Sequence, residues 1–245
     1  MTPEGLLLIN KSGGMTSHDV VQVVRRILGL RQIGHSGTLD PMAQGLLILL
    51  VGTATKFQHA FQSHEKTYET VLRLGVQTDT GDAMGTPVRT AAVPALDRRQ
   101  LEELFASLTG SISQIPPTYS AVKVRGRPAY WWARHRRPVE LPARTVRILG
   151  LELLAAQADT ITFRVRCSAG TYVRSLVESM AERLGTTGHV AALVRTGVGP
   201  WALEEALPMS WVASASREEL IRQLRPVPST LHAEALSVRR PLDAP

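Results

Sequence analysis

The chain carries one cysteine, Cys167, in 245 residues. A single thiol excludes an internal disulfide framework and an all-cysteine zinc site. No apolar run approaches the ~20 residues of a membrane-spanning helix. The apolar run Gly5–Ile9 near the amino terminus is too short for the core of a secretory signal. Aromatic residues are few, at 5%, so any cluster of them is informative. Acids are the scarcer charge, 21 against 28 lysines and arginines, for a net charge of +7. The expectation is a cytoplasmic globular protein with no membrane contact, whose basic balance favours an acidic partner, nucleic acid first.

The positive charge is concentrated. Lys123, Arg125, Arg127, Arg134, Arg136, Arg137, Arg144 and Arg147 face one acid, Glu140, over that stretch, and the rest of the chain is balanced. Tyr130, Trp131 and Trp132 fall inside the same stretch. Neighbouring residues on a helix point to different faces, so both tryptophans cannot bury equally against one surface. Guanidiniums that meet phosphates, interleaved with rings that stack on bases, suit RNA. Lys123, Arg125, Arg127, Tyr130, Trp131, Trp132 and Arg134 are the candidate RNA-binding residues.

Apolar spacing predicts a strand over residues 6–10. A helix follows, opened by a Thr16/Asp19 capping box and closed by Gly29. LLILLVG reads as a buried strand, with a short helix from about Thr53. KTYETVLRLG alternates as a strand, and QTDTGDAMG is a turn-rich loop. Asp97 caps a further helix, and Pro116 and Pro117 stiffen an extended segment. VRILGLELL and TITFRVRCSAG read as an antiparallel pair. A helix over 171–184, a strand in HVAALVRTGVGPW and a last helix in WVASASREELIRQLRP complete the order. The final twenty residues hold four prolines and read as a partly ordered tail. The elements neither alternate as βαβ units nor repeat, which implies an α+β fold with a mainly antiparallel sheet.

One loop concentrates chemistry: GHSGTLDPMAQG, residues 34–45. Its Ser36 does not sit in a G-x-S-x-G elbow, because Thr38 occupies the last glycine position. GTATK lacks the spacing of a phosphate-binding loop. Asp79 and Asp82 match a calcium loop poorly, with Thr90 where its terminal glutamate belongs. Scattered histidines and a lone cysteine give no zinc spacing, so no metal is expected. Locally, Asp40 stays open as a turn residue, a metal ligand or a nucleophile. Tyr172 and Arg174, in CSAGTYVRSL, lie at the start of a helix, where side chains can project towards a pocket.

Six segments, in order, resemble one family. GHSGTLDPMAQGLLILLVGTATKF resembles the catalytic motif of the TruB family of tRNA pseudouridine synthases. NKSGGMTSHDVV, KTYETVLRLGVQTDTGDAMG, QIPPTYSAVKVRGRPAYWWAR, CSAGTYVRSL and HVAALVRTGVGPW resemble its other motifs, so that the resemblance covers roughly residues 5–225.

The resemblance implies a pseudouridine synthase fold, with a mixed, mainly antiparallel sheet flanked by helices and a thumb-like RNA-binding insertion. It implies a catalytic domain over 1–225, with the insertion at about 117–143. Residues 226–245 are then a short tail, and the PUA domain usual in bacterial members is expected to be absent or vestigial. The implied reaction is isomerisation of uridine 55 in the tRNA T loop, with no cofactor, by a monomer needing no protein partner. Asp40 falls on the essential aspartate, Tyr68 on the stacking tyrosine and Arg174 on the arginine that pairs with the carboxylate. Tyr172, Leu193, His35 and Lys11 fall on substrate-binding positions.

The chemistry suits these residue types. A carboxylate can stabilise or attack the sugar carbon as the base detaches, and an arginine keeps it ionised. An apolar residue such as Leu193 keeps water from the cleaved base. The loop glycines are expected to let backbone approach a flipped nucleotide. The rival readings are an isomerase acting on another RNA, an RNA chaperone and a glycosidase. The last wants a second carboxylate that the loop does not offer.

Overall fold

A computed structural model describes residues 2–135, 137, 139–229 and 231. These divide into two compact units, one from 2–64 with 195–231 and one from 65–194. The first begins with β1 (Gly5–Lys11) and α1 (Ser17–Leu28). Thr16 and Asp19 form the reciprocal capping box, and Gly29 stops the helix at φ 64°. β2 (Ile33–His35) leads into the Gly-rich loop, and β3 (Gln44–Val51) leaves it. β1 lies antiparallel to β3 from Gly5 opposite Val51 to Lys11 opposite Gly45, and β2 flanks the far end of β3. Leu46–Val51 are all fully buried, as expected for a strand covered on both faces. A 3-10 turn (Gly52–Phe57) and α2 (Gln58–Ser63) close the segment.

The second unit opens with β4 (Lys66–Leu74), whose strict alternation of inward and outward residues matches the sequence pattern. The turn-rich loop that follows is a small hairpin, β5 (Val76–Thr78) with β6 (Pro87–Thr90). Asp97 caps α3 (Arg98–Leu108) as expected. β7 (Gly110–Gln114), β8 (Lys123–Val124), β9 (Arg127–Pro128) and α4 (Ala129–Arg134) carry the basic insertion. β10 (Arg144–Gln157) and β11 (Thr160–Cys167) are the expected antiparallel pair, with β10 extending well beyond the apolar motif. β4 pairs with β11, and β7 with β10, all antiparallel. Phe105 of α3 meets Phe163 of β11 edge-on at 5.6 Å.

α5 (Val173–Arg183) starts later than expected. Tyr172 is its N-cap, while the Thr171 hydroxyl donates backwards to Ser168 O at 2.9 Å. β12 (Gly188–Val198) then leads back into the first unit. There follow β13 (Trp201–Ala202), paired with the end of β12, and β14 (Leu207–Pro208), parallel to β1. The single helix expected over 211–226 is two: α6 (Met209–Ser214) and α7 (Arg217–Arg222). Ser216 and Glu219 form a second capping box, and such a box starts a helix instead of continuing one. The fold is α+β with mostly antiparallel pairing. The anticipated tail lies, from residue 232 on, outside the described residues.

Gly34 and Gly45, expected to admit a nucleotide, are crowded by protein. A Cβ on Gly34 would strike the Gln58 side chain, and one on Gly45, at φ 102°, would strike the Arg195 carbonyl. Gly45→Ala should therefore destabilise the protein by about 2–4 kcal/mol, from backbone strain plus overpacking. An unchanged urea midpoint would refute this account of the loop.

Candidate active site

In the first unit the Asp40 loop is held from beneath by buried polar groups. Arg195, 1% exposed, donates from Nε to Leu46 O at 2.7 Å and from Nη2 to Gly37 O at 3.2 Å. One guanidinium thereby joins a core strand to the loop. Ser17 Oγ accepts from Leu39 N at 2.8 Å. Lys11, with no exposed surface, donates from Nζ to Met15 O (2.7 Å), Ser12 O (2.9 Å) and Pro41 O (3.3 Å). Pro41 O also accepts from Gly14 N, and Asp40 O from Ala43 N. Asp40 itself is half-buried. Its neighbours on both sides, Leu39 and Pro41, are tied down, so the carboxylate stands on a fixed backbone.

This floor is cationic. Burial, with Arg195 nearby, lowers the Lys11 pKa to about 8, while Asp40 and Asp19 pull the other way. Burial also lowers the pKa of His35, helped by Arg195 and His18, so the imidazole stays neutral near pH 7. His35 Nδ1 accepts from Gly37 N at 3.2 Å. Ser36 is fully buried and its hydroxyl has no hydrogen-bond partner among the described residues, which removes it as a nucleophile.

In the second unit Tyr172 and Arg174 share a scaffold. The buried Gln114 amide clamps the Tyr172 backbone from both sides, donating to its carbonyl at 2.9 Å and accepting from its N–H at 2.8 Å. Arg174, 4% exposed, donates to Thr80 O (2.8 Å) and Tyr119 O (2.9 Å). The Thr80 loop is rigid in turn: Asp82 Oδ1 accepts from Thr80 Oγ1 (2.7 Å) and Met84 N (3.0 Å), and Asp79 Oδ1 from Thr86 N. The acids that loosely suggested a calcium loop thus fasten the loop that orients Arg174. Among the described residues no three His, Cys, Asp or Glu side chains cluster as metal ligands would. Tyr68 on β4 and Leu193 on β12 are both buried, at 8% and 6% exposure.

The insertion presents Lys123, Arg125, Arg127, Tyr130 and Arg134 to solvent. Arg125 (φ 50°) and Gly126 (φ 77°) make the tight turn between β8 and β9, the left-handed pair that a two-residue hairpin needs. The two tryptophans are held differently, in line with the expectation that they cannot bury equally against one surface. Trp132 Nε1 donates to Val124 O at 3.1 Å and so anchors the hairpin. Trp131 already carries the Arg127 guanidinium 4.2 Å from its ring centre and stacks on His135 at 4.0 Å. Tyr130, 41% exposed, is the more open ring.

Gln114 and Arg195 escaped the sequence reading, and Asp82 was weighed there only as a calcium ligand. A signal for Arg195 existed: it takes an inward position on β12, two residues after Leu193.

Residues 25–173 match the family model for TruB family pseudouridylate synthase (N terminal domain). The chain belongs to the TruB family. It is 44% identical over 224 residues to the tRNA pseudouridine synthase B of Aromatoleum aromaticum, covering 91% of this chain and 72% of that one. It is 43% identical over 228 residues to that of Burkholderia pseudomallei, covering 93% and 75%. Among solved structures it resembles a Cbf5–Nop10–Gar1 complex, with TM-score 0.69 and 26% identity over 91% of this chain and 60% of the solved one. An archaeal box H/ACA Nop10–Cbf5 complex, at TM-score 0.67 and 24% identity over 92% of this chain, shares the fold. The TruB chain described here spans about 60% of the length of those two solved chains.

The Lys11 site makes a pH prediction. Its folded pKa of about 8 lies below the 10.5 of a free lysine, so the unfolded chain binds the extra proton between those values. Stability therefore rises with pH from about 8. Cys167 opposes this only above about 9, because burial raises its thiol pKa from 9.0 to about 11. Urea melts between pH 8 and 9 should show wild-type stability rising relative to Lys11→Met. Parallel curves would contradict the assignment.

Proposed function

We propose that this chain isomerises uridine 55 of the tRNA T loop to pseudouridine, with Asp40 as the catalytic carboxylate. The N1–C1′ bond breaks, the uracil turns, and a C5–C1′ bond forms. The proton lost from C5 is matched by one gained at N1, so the reaction needs no co-substrate. Positive character at C1′ as the base detaches calls for a fixed, ionised carboxylate. The observation that carries the reading is the Asp40 loop, whose backbone is fastened on either side of the carboxylate.

Tyr68 is the proposed stacking ring for the flipped uracil, returning ~1–3 kcal/mol of a flipping cost of a few kcal/mol. Leu193 is the proposed apolar floor. Tyr172 and Arg174, on their clamped helix start, are the proposed further contacts of the site. In this reading Lys11 and His35 act by holding the loop that meets the substrate, since Lys11 is buried among carbonyls. The basic insertion supports action on the T arm by a monomer without a protein partner, with the cytoplasm as the setting. No helix among the described residues is long and apolar enough to cross a membrane.

Incubation with unmodified tRNA, read at single-nucleotide resolution, should give pseudouridine at position 55. Asp40→Asn should lower conversion by at least about a thousandfold while tRNA binding stays within a few-fold. Modification outside the T loop would overturn the substrate. An active Asp40→Asn protein would overturn the catalytic role.

A further inference from the structure

The end of α1 forms a basic groove outside every residue assigned above. It has a volume of about 600 Å³ and is lined by Gln22, Arg25, Arg26, Gly29, Leu30 and Arg31. From Val20 to Leu39 the sequence contains no acid, so none within that segment neutralises these arginines. Some of the charge is structural. Arg25 and Arg26 lie in the last turn of α1, where cations complement the helix dipole. Arg25 Nη2 donates to Ile33 O at 3.0 Å, and Arg217 of α7 caps Leu28 O at 3.2 Å.

The remainder has no such use. Arg26 and Arg31 are exposed, and neither guanidinium makes a hydrogen bond or ion pair among the described residues. Arg25 Nε is buried and likewise lacks a partner there. Several surface arginines elsewhere are matched: Arg73 with Asp159, Arg98 with Glu102, Arg99 with Glu103, and Arg164 with Glu69 and Glu152. An open groove with unpaired guanidiniums and one amide offers forked donors to anionic oxygens. It offers little apolar surface for a protein partner.

We infer that this groove binds the phosphodiester backbone of the tRNA substrate, as a contact separate from the basic insertion. The inference rests on the tRNA reading above. Its contacts are to phosphate, so they add affinity and register without reading sequence.

The test is equilibrium binding of unmodified tRNA to the full chain across a salt series. Arg26→Glu with Arg31→Glu should weaken binding about tenfold or more at low salt. It should also flatten the plot of log K against log salt by about 1.5–2 units, the share of two phosphate contacts. Arg98→Glu with Arg99→Glu makes the same change of charge on α3 and should leave affinity within about twofold. Equal affinity and slope for the groove variant and wild type would overturn the inference, as would equal weakening by the α3 control. If the wild-type chain converts no uridine in tRNA, the functional reading itself fails. Conversion by wild type with an unaltered groove variant sinks the groove alone.

Discussion

The Arg195 guanidinium reaches from Leu46 O, inside a fully buried strand, to Gly37 O in the loop that carries Asp40. A buried cation is costly unless it is hydrogen-bonded, and here two backbone carbonyls accept from it. The consequence is positional. Gly45 has no room for a side chain because the Arg195 backbone occupies it, and Gly37 takes φ 136° where the guanidinium meets the loop. Lys11 adds its carbonyl contacts on the far side of Asp40, and Ser17 fixes Leu39. A flexible, glycine-rich sequence thereby becomes a rigid platform, which suits a reaction that needs a carboxylate held in place before the substrate arrives.

The second unit uses the same logic with different parts. Tyr172 and Arg174 stand at a helix start, a place that frays unless its backbone groups find partners. Gln114 supplies them to Tyr172, while the Asp82-braced loop presents Thr80 O to Arg174. In both units buried polar side chains bind backbone, and the residues with proposed chemical roles ride on the segments so fixed. This is why Lys11 reads better as a loop holder than as a ligand of the substrate.

Much of the fold was legible. The Thr16/Asp19 box, Gly29, the Asp97 cap and the alternation of β4 are local signals, and each is where the spacing puts it. The split between α6 and α7 was also local, but the Ser216 box was read through as continuous helix. The paired strands β5 and β6 were hidden because exposed, turn-rich strands carry no apolar period. The proposed site residues Asp40, Tyr68, Tyr172 and Arg174 rest on the motif resemblance alone, because they are distant in sequence and no local pattern links them. Gln114, Asp82 and Arg195 act by hydrogen bonds to backbone, and such bonds leave no periodicity to read. The contacts of the tryptophans were likewise not legible: Trp132 holds the hairpin through Val124 O, and Trp131 stacks on His135.

The most direct measurement is the single-turnover rate of pseudouridine formation by Arg195→Lys on unmodified tRNA. Lysine keeps the charge, but its single nitrogen cannot reproduce the two-ended bridge from Leu46 O to Gly37 O. If the loop is positioned from beneath, the rate falls by at least about tenfold, while thermal unfolding stays cooperative and tRNA affinity is retained. A wild-type rate in that protein would contradict the account.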